Sequence, residues 1–221
     1  MAYGKAKWKE SGQQAAPFTL FRSVQYLSQR DRSKPFFLYA HFEAPHSPYV
    51  RHEGIQTFGG QPSDLYDHEI AYADRYVGLL LQYLETERVM DDTVIVVFGD
   101  HGEEFGEHGG TQHSRKLYQE SVHVPLVIHV PGAGTARIRT RVSLVDVFPT
   151  MMDVLGLRPD EPQPQGFSLY HYLKGSDPWP QRPIYSELMV NDEGEFKYRK
   201  AIFEGKSKLI WDMESGTTEL Y

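Results

Sequence analysis

Three short stretches of the chain hold residue types that can do chemistry. The first is Phe98-Gly99-Asp100-His101-Gly102-Glu103-Glu104-Phe105-Gly106-Glu107-His108-Gly109-Gly110. Asp100 and His101 directly follow an apolar, β-branched run, and a carboxylate beside an imidazole is an ordinary ligand pair for one divalent ion. Glycines on both sides let the backbone turn sharply enough for neighbouring side chains to face one point. An acidic surface loop with incidental histidines has the same composition, so residue types alone leave both open. The second stretch, His41-Phe42-Glu43-Ala44-Pro45-His46-Ser47-Pro48-Tyr49, stiffens the backbone around His46 with two prolines. A histidine held in one direction can donate to a leaving group; a rigid loop with a solvated histidine is the plainer alternative. The third, His113-Ser114-Arg115-Lys116-Leu117-Tyr118-Gln119-Glu120, places cationic donors close behind the glycine-rich loop. In an acidic chain such donors suit a sulfate or phosphate group, or else form a basic helix start balanced by Glu120.

These stretches need a scaffold, and the chain is long enough to build one. Its 221 residues carry 23 Lys+Arg against 30 Asp+Glu, a formal charge of −7, with 40% hydrophobic and 24% charged residues. That is the composition of a domain with a core. The negative balance argues against nucleic acid as a partner. No apolar run approaches the roughly 20 residues of a membrane-spanning helix, and Met1 to Glu10 holds no apolar segment of a signal peptide; the cellular location stays undetermined. Cys is absent, which removes disulfides, Cys-ligated metals and a Cys nucleophile. HExxH and phosphate-binding glycine motifs are absent as well.

The expected elements place the three stretches. After a polar start to about Ala16, Phe18–Arg30 is predicted to be a helix with Leu20, Phe21, Val24 and Leu27 on one side. Pro35–Phe42 is predicted to be a buried strand opening into the His46 loop. A long helix capped by Ser63 or Asp64 follows, with Ile70, Ala73, Val77, Leu80, Leu81 and Leu84 on one face, and Asp91-Asp92 ends it. Thr93–Phe98 reads as a strand buried on both faces and Pro125–Val130 as another. Asp100 and His101 thus fall just past a strand end, where ligands gather in open α/β sheets. Asp146 is placed to cap a helix containing Pro149 and ending at Gly156. Beyond Arg158, Pro159, Pro162, Pro164 and Gly166 mark an irregular crossing. Ile184–Leu188, Tyr198–Phe203 and Lys208–Trp211, with turns at Gly194, Gly205 and Gly216, suggest a small antiparallel unit.

Taken in order, these pieces resemble the sulfatase family of the alkaline-phosphatase superfamily. The matching segments are Pro35–Tyr49, Tyr66–Leu84, Asp92–Gly132, Val142–Leu157, Arg182–Glu187 and Ser207–Tyr221, and GDHGE followed by GEHGG and HVPL is the most specific of them. The resemblance implies an α/β fold: an alkaline-phosphatase-like, mostly parallel sheet flanked by helices over residues 1–157, and a small antiparallel C-terminal subdomain over 158–221. It implies that Asp100 and His101 are metal ligands, that His46 contacts the substrate, and that His113 or Arg115 supplies the cation beside the sulfate ester. It implies one divalent ion, calcium by family habit, with manganese or zinc as alternatives because of the imidazole. The expected activity is hydrolysis of a small anionic sulfate ester; hydrolysis of phosphodiesters or phosphonates and a non-catalytic product are the alternatives.

The departures are informative too. Family members carry an early Asp-Asp metal pair and a nucleophile motif, Cys or Ser followed by x-Pro-x-Arg, whose first residue becomes formylglycine. Here Cys is missing, and Ser33-Lys34-Pro35 and Ser176-Asp177-Pro178 are followed by Phe37 and Pro180 where Arg is required. The expectation is therefore a C-terminal part of the fold, lacking formylglycine and its N-terminal segment, inactive alone and either self-associating or dependent on that segment.

Overall fold

The computed structural model describes residues 15–113, 115–158, 164–175, 178–179, 181–192 and 195–221. The polar start up to residue 14, Ser114, Pro159, Pro162, the Ser176-Asp177 pair, Pro180 and Gly194 lie outside them. The chain forms two compact units, divided between Asp92 and Thr93.

In the first unit, helix α1 (Ala15–Gln29) packs on helix α2 (Pro62–Thr86). Pro62 starts α2, where its missing N–H costs little, and the Asp64 carboxylate accepts from Gln61 N at 2.9 Å. Asp64 thus braces the start from inside the helix, and Gln61 takes the cap position assigned to Ser63 or Asp64. Ala16, Ala44, Tyr72 and Ala73 form the core, with Phe42, Ile55 and Tyr76 against it. The buried face of α2 keeps Ala73 and Leu84 of the expected set, with Val77, Leu80 and Leu81 half-buried, and departs from it near the start of the helix. Ile70 is 43% exposed, whereas His68 and Glu69 are each 2% exposed. The cause is the loop lying over the helix, whose backbone donors and acceptors need polar partners (below). On α1, Leu27 is buried and Phe21 is exposed. Pro35–Phe42 runs extended with alternating exposure but has no ladder partner among the described residues, so the expected strand is not formed. Phe37 and Tyr39 are accordingly left 84% and 67% exposed.

The second unit begins with strand β1 (Ile95–Phe98). Strands β2 (Glu104–Phe105) and β3 (Thr111–Gln112), helix α3 (Gln119–Val122) and strand β4 (Leu126–His129) follow. Next come helices α4 (Val147–Val154) and α5 (Tyr170–Leu173). The chain ends in strands β5 (Ile184–Asp192), β6 (Glu195–Glu204), β7 (Ser207–Asp212) and β8 (Thr218–Leu220). β1 pairs antiparallel with β4, Ile95 opposite His129 and Phe98 opposite Leu126. β1 is not buried on both faces, since Val97 and Phe98 are exposed. β2 and β3 close the glycine-rich stretch into a hairpin, Glu104 opposite Gln112. The last four strands form one antiparallel sheet in sequential order, as the spacing of short strands and glycine turns predicted. All strand pairs among the described residues are antiparallel.

The C-terminal sheet backs the segment that leads into α3. Leu117, Ala201, Phe203 and Ile210 make one buried cluster, joined by Tyr118, Val122, Ile184 and Leu188. Lys208 Nζ donates to Leu117 O, and burial pushes this ammonium down to about 8. Asp146 directly precedes α4, but its carboxylate makes no cap bond to that helix, contrary to the expectation; Gly156 ends the helix with φ +64°. The Asp146 carboxylate is fully buried and reaches beyond that helix: it accepts from Ser143 N and Phe167 N at 2.8 Å and from Arg182.

Asp212 fastens the β7–β8 turn. It takes Ser215 N and Glu214 N on one oxygen and Arg199 Nε at 2.7 Å on the other. The Ser215 N–H first, then Arg199, outweigh burial and hold this carboxyl at about 2 against an ordinary 3.8. A carboxyl lowered on folding adds stability above its unfolded pKa and loses it as pH falls through the folded one. Asp212→Asn is therefore expected to melt below the wild type above a pH of about 4, with the gap closing as pH falls to about 2. Thermal unfolding followed across that range checks this.

Candidate functional site

Asp100 and His101 sit at the exit of β1, in a corner fixed by close backbone approach. Gly99 N donates to Pro125 O at 3.3 Å and Gly102 N to Ser121 O at 2.9 Å. A Cβ on Gly102 would lie 1.9 Å from Glu120 O, a backbone clash that only glycine avoids. The loop after β1 is thereby pressed on the turn that starts α3. His101 N donates to Asp100 Oδ1 at 3.0 Å, and His101 Nδ1 meets Gly102 O at 2.8 Å. A carbonyl can only accept, so Nδ1 carries a proton, and in the neutral ring Nε2 holds the lone pair. Nε2 lies 3.8 Å from Asp100 Oδ1, with Asp100 well exposed. One oxygen and one imidazole nitrogen at that separation fit a single divalent cation.

His113 joins this corner. Its ring stacks on His101 with centroids 3.8 Å apart. His113 Nδ1 is 3.1 Å from the Oε1 of Glu103, which is 7% exposed. Arg115 has an exposed side chain, and its backbone carbonyl accepts from Arg199 of β6. So the structure brings Asp100, His101 and His113 together. The Arg115 backbone is tied to the C-terminal sheet. His46 belongs to the first unit, where its N–H donates to Glu43 O at 2.9 Å and its Nδ1 lies 2.7 Å from Ser47 O.

The second half of the loop is braced rather than open. Glu104 is 2% exposed. Its Oε1 accepts from Gly110 N at 2.8 Å, His108 N at 3.1 Å and Lys116 Nζ at 3.3 Å. Burial alone would raise this carboxyl, but those donors outweigh it and hold it below the usual range. Glu104, His108 and Glu120 each present a donor atom within 4.8 Å of the others. The Lys116 ammonium already supplies the positive charge there, also bonding His108 O. His108 Nδ1 meets Glu120 at 2.6 Å and its ring stacks on Tyr118 at 3.7 Å. Tyr118 and Tyr221 both donate to Glu219. The two hydroxyls, Tyr221 first, hold the Glu219 carboxyl low, while burial and then Glu219 push the Tyr118 phenol up. The loop is thus tied to the last strand.

Sequence reasoning gave no role to Glu103, Glu104 or His108, and took Glu120 only as the charge balancing a basic helix start. The available signal was spacing: Glu104 and His108 bracket a glycine turn, and a Cβ at Gly110 would come within 2.7 Å of the Glu104 carboxylate, which would have to shift.

Comparison with known proteins identifies the family. Residues 12–157 match the Sulfatase family. A choline-sulfatase of Rhizobium meliloti (strain 1021) is 31% identical over 164 residues, covering 70% of this chain and 31% of that protein. Arylsulfatase K of Bos taurus is 35% identical over 124 residues, covering 56% of this chain and 20% of that protein. The chain therefore spans a third or less of the length of these relatives. Among solved structures, the phosphonate monoester hydrolase of Agrobacterium radiobacter superposes with a TM-score of 0.79 at 22% identity, over 93% of this chain and 53% of that one. BT4656, solved with its substrate D-glucosamine-2-N,6-O-disulfate, gives 0.75 at 20% identity, over 94% and 62%. With the GDHGE corner, the hairpin behind it and most of the chain's length matched, the protein belongs to the sulfatase family.

Proposed function

We propose that this chain carries the C-terminal share of a sulfate-ester hydrolase site. The observation that carries this is the Asp100–His101 corner with His113 stacked against it. Asp100 and His101 would hold one divalent ion, calcium in our proposal, with manganese or zinc the choices an imidazole ligand favours. When bound, such an ion polarises the ester oxygens. His113, its Nδ1–H oriented by buried Glu103, would donate to the anion from Nε2 as the imidazolium, and the exposed Arg115 adds positive charge to the approach. His46, with Nδ1–H held on Ser47 O, would donate to the leaving oxygen from Nε2, and only as the imidazolium, because the neutral ring has its one N–H on Ser47 O.

Attack on sulfur is assigned to no residue of this chain. It has no Cys, and its Ser-x-Pro sequences lack the following Arg. The mostly parallel sheet of the family, and the formylglycine segment with it, are proposed to belong to the complete catalytic fold, of which 158–221 forms the antiparallel subdomain. Exposed Phe37, Tyr39, Val97 and Val127 support this, since they are apolar strand-type positions with no cover among the described residues. Sulfated small molecules are the proposed substrates. Phosphonate or phosphodiester hydrolysis is the second choice, because an Asp-His metal pair suits those tetrahedral anions as well.

The chain alone is expected to turn over neither p-nitrophenyl sulfate nor p-nitrophenyl phosphate. A protein that also carries the formylglycine segment is expected to cleave the sulfate and to lose at least about 100-fold in kcat/KM in Asp100→Asn or His46→Ala. Turnover by the chain alone that vanishes in both variants would overturn this, as would full activity after thorough chelation. Analytical ultracentrifugation of the chain is expected to show self-association through its exposed strand positions. A monodisperse monomer with one cooperative melting transition would contradict that.

A further inference from the structure

The most completely buried side chains of the first unit include two that the proposed chemistry does not use, His68 and Glu69. Both sit on α2 and both serve the loop that carries His46. Glu69 Oε1 accepts from Val50 N at 2.9 Å, and Glu69 Oε2 meets His52 Nε2 at 2.9 Å. His68 Nε2 accepts from His52 N at 2.7 Å, while His68 Nδ1 lies 2.8 Å from Gln56 O. The His52 ring lies flat on Tyr72 at 3.5 Å, and Tyr49 meets Tyr66 edge-on at 5.6 Å. From Tyr49 to Gln56 the loop is therefore laid along one face of α2. On the other side of His46, Ala44 is in the core and Thr19 of α1 donates to His41 O at 3.0 Å.

The tautomer of His68 follows from its partners. A backbone N–H can only donate and a carbonyl can only accept. His68 must then be neutral, with the proton on Nδ1 and the lone pair on Nε2. No other arrangement satisfies both backbone contacts.

We propose that His68 and Glu69 are positioning residues for His46. By holding the backbone of Val50, His52 and Gln56 they fix one arm of the turn and so the direction in which His46 points. This rests on His46 contacting the ester, as proposed above, but it is tested without substrate.

The experiment is solution NMR of the whole chain and of His68→Gln, His68→Asn and Glu69→Ala. Gln places a carbonyl oxygen near the Nε2 position and can still accept from His52 N; Asn reaches only to the Nδ1 position. Wild-type His68 is expected as the Nδ1–H tautomer. His68→Asn is expected to speed exchange of the His52 amide by at least about tenfold, the effect of one lost buried hydrogen bond, and His68→Gln to restore it to within about threefold. Glu69→Ala does the same to the Val50 amide. In His68→Asn the His46 ring resonances shift and broaden, and in His68→Gln they return to their wild-type positions. Amides in the last turns of α2 report that the helix is intact.

A His68 imidazolium or Nε2–H tautomer would overturn the proposal. So would His46 resonances unchanged in every variant, which would leave His68 and Glu69 as packing alone. Should Glu69→Ala fail to fold, the Gln–Asn pair at His68 still decides. If the His46 signals respond but His46→Ala leaves sulfate-ester hydrolysis intact, the catalytic role of His46 fails and the positioning stands.

Discussion

A carboxylate taken out of water must be surrounded by donors, and in this protein the donors are the backbone N–H groups of loops. Asp146, Glu69 and Glu104 are each at most 2% exposed. Unpaired, a buried charge of this kind would cost several kcal/mol, on the order of what a domain has to spare. Each therefore fixes its loop. Glu69 holds the segment beyond His46, Glu104 closes the hairpin beyond His101, and Asp146 joins the start of α4 to the chain near Phe167 and to Arg182. These loops are irregular in backbone but not loosely held, as the proposed site would require.

Glycine complements the carboxylates. At Gly102 the loop after β1 comes against Glu120 O, and at Gly110 the hairpin comes against Glu104 itself. The GDHGE and GEHGG stretches alternate residues that approach with residues that bond. Asp100 remains outside this bracing and well exposed, while His101 is held through one ring nitrogen. One residue left to reach outward beside one held in direction is the form of the proposed ligand pair.

Much of this was legible in the residues. The apolar periodicity of α2, the β-branched run of β1, Asp146 ahead of α4, Gly156 behind it and the short C-terminal strands follow from local rules. The GDHGE corner was legible because glycine, carboxylate and imidazole types coincide at a strand end. His68 and Glu69 were not, since a helix face read by hydropathy puts Ile70 inward and polar neighbours outward. Only the loop lying on the helix, with its own backbone groups to satisfy, reverses that order. Pro35–Phe42 reads as a strand by composition, yet a strand exists only through its ladder, and the sequence of one strand does not carry its partner.

In the proposed site the Asp100–His101 corner, rather than the Glu104–His108–Glu120 group, meets the divalent cation. Manganese(II) titrated into the isotope-labelled chain tests it directly, because a paramagnetic ion broadens the resonances nearest to it first. The account predicts that Asp100, His101 and His113 broaden ahead of Glu104, His108 and Glu120, and that Asp100→Asn abolishes the effect. Broadening centred on Glu104, His108 and Glu120, or spread evenly over the acidic surface, would contradict it.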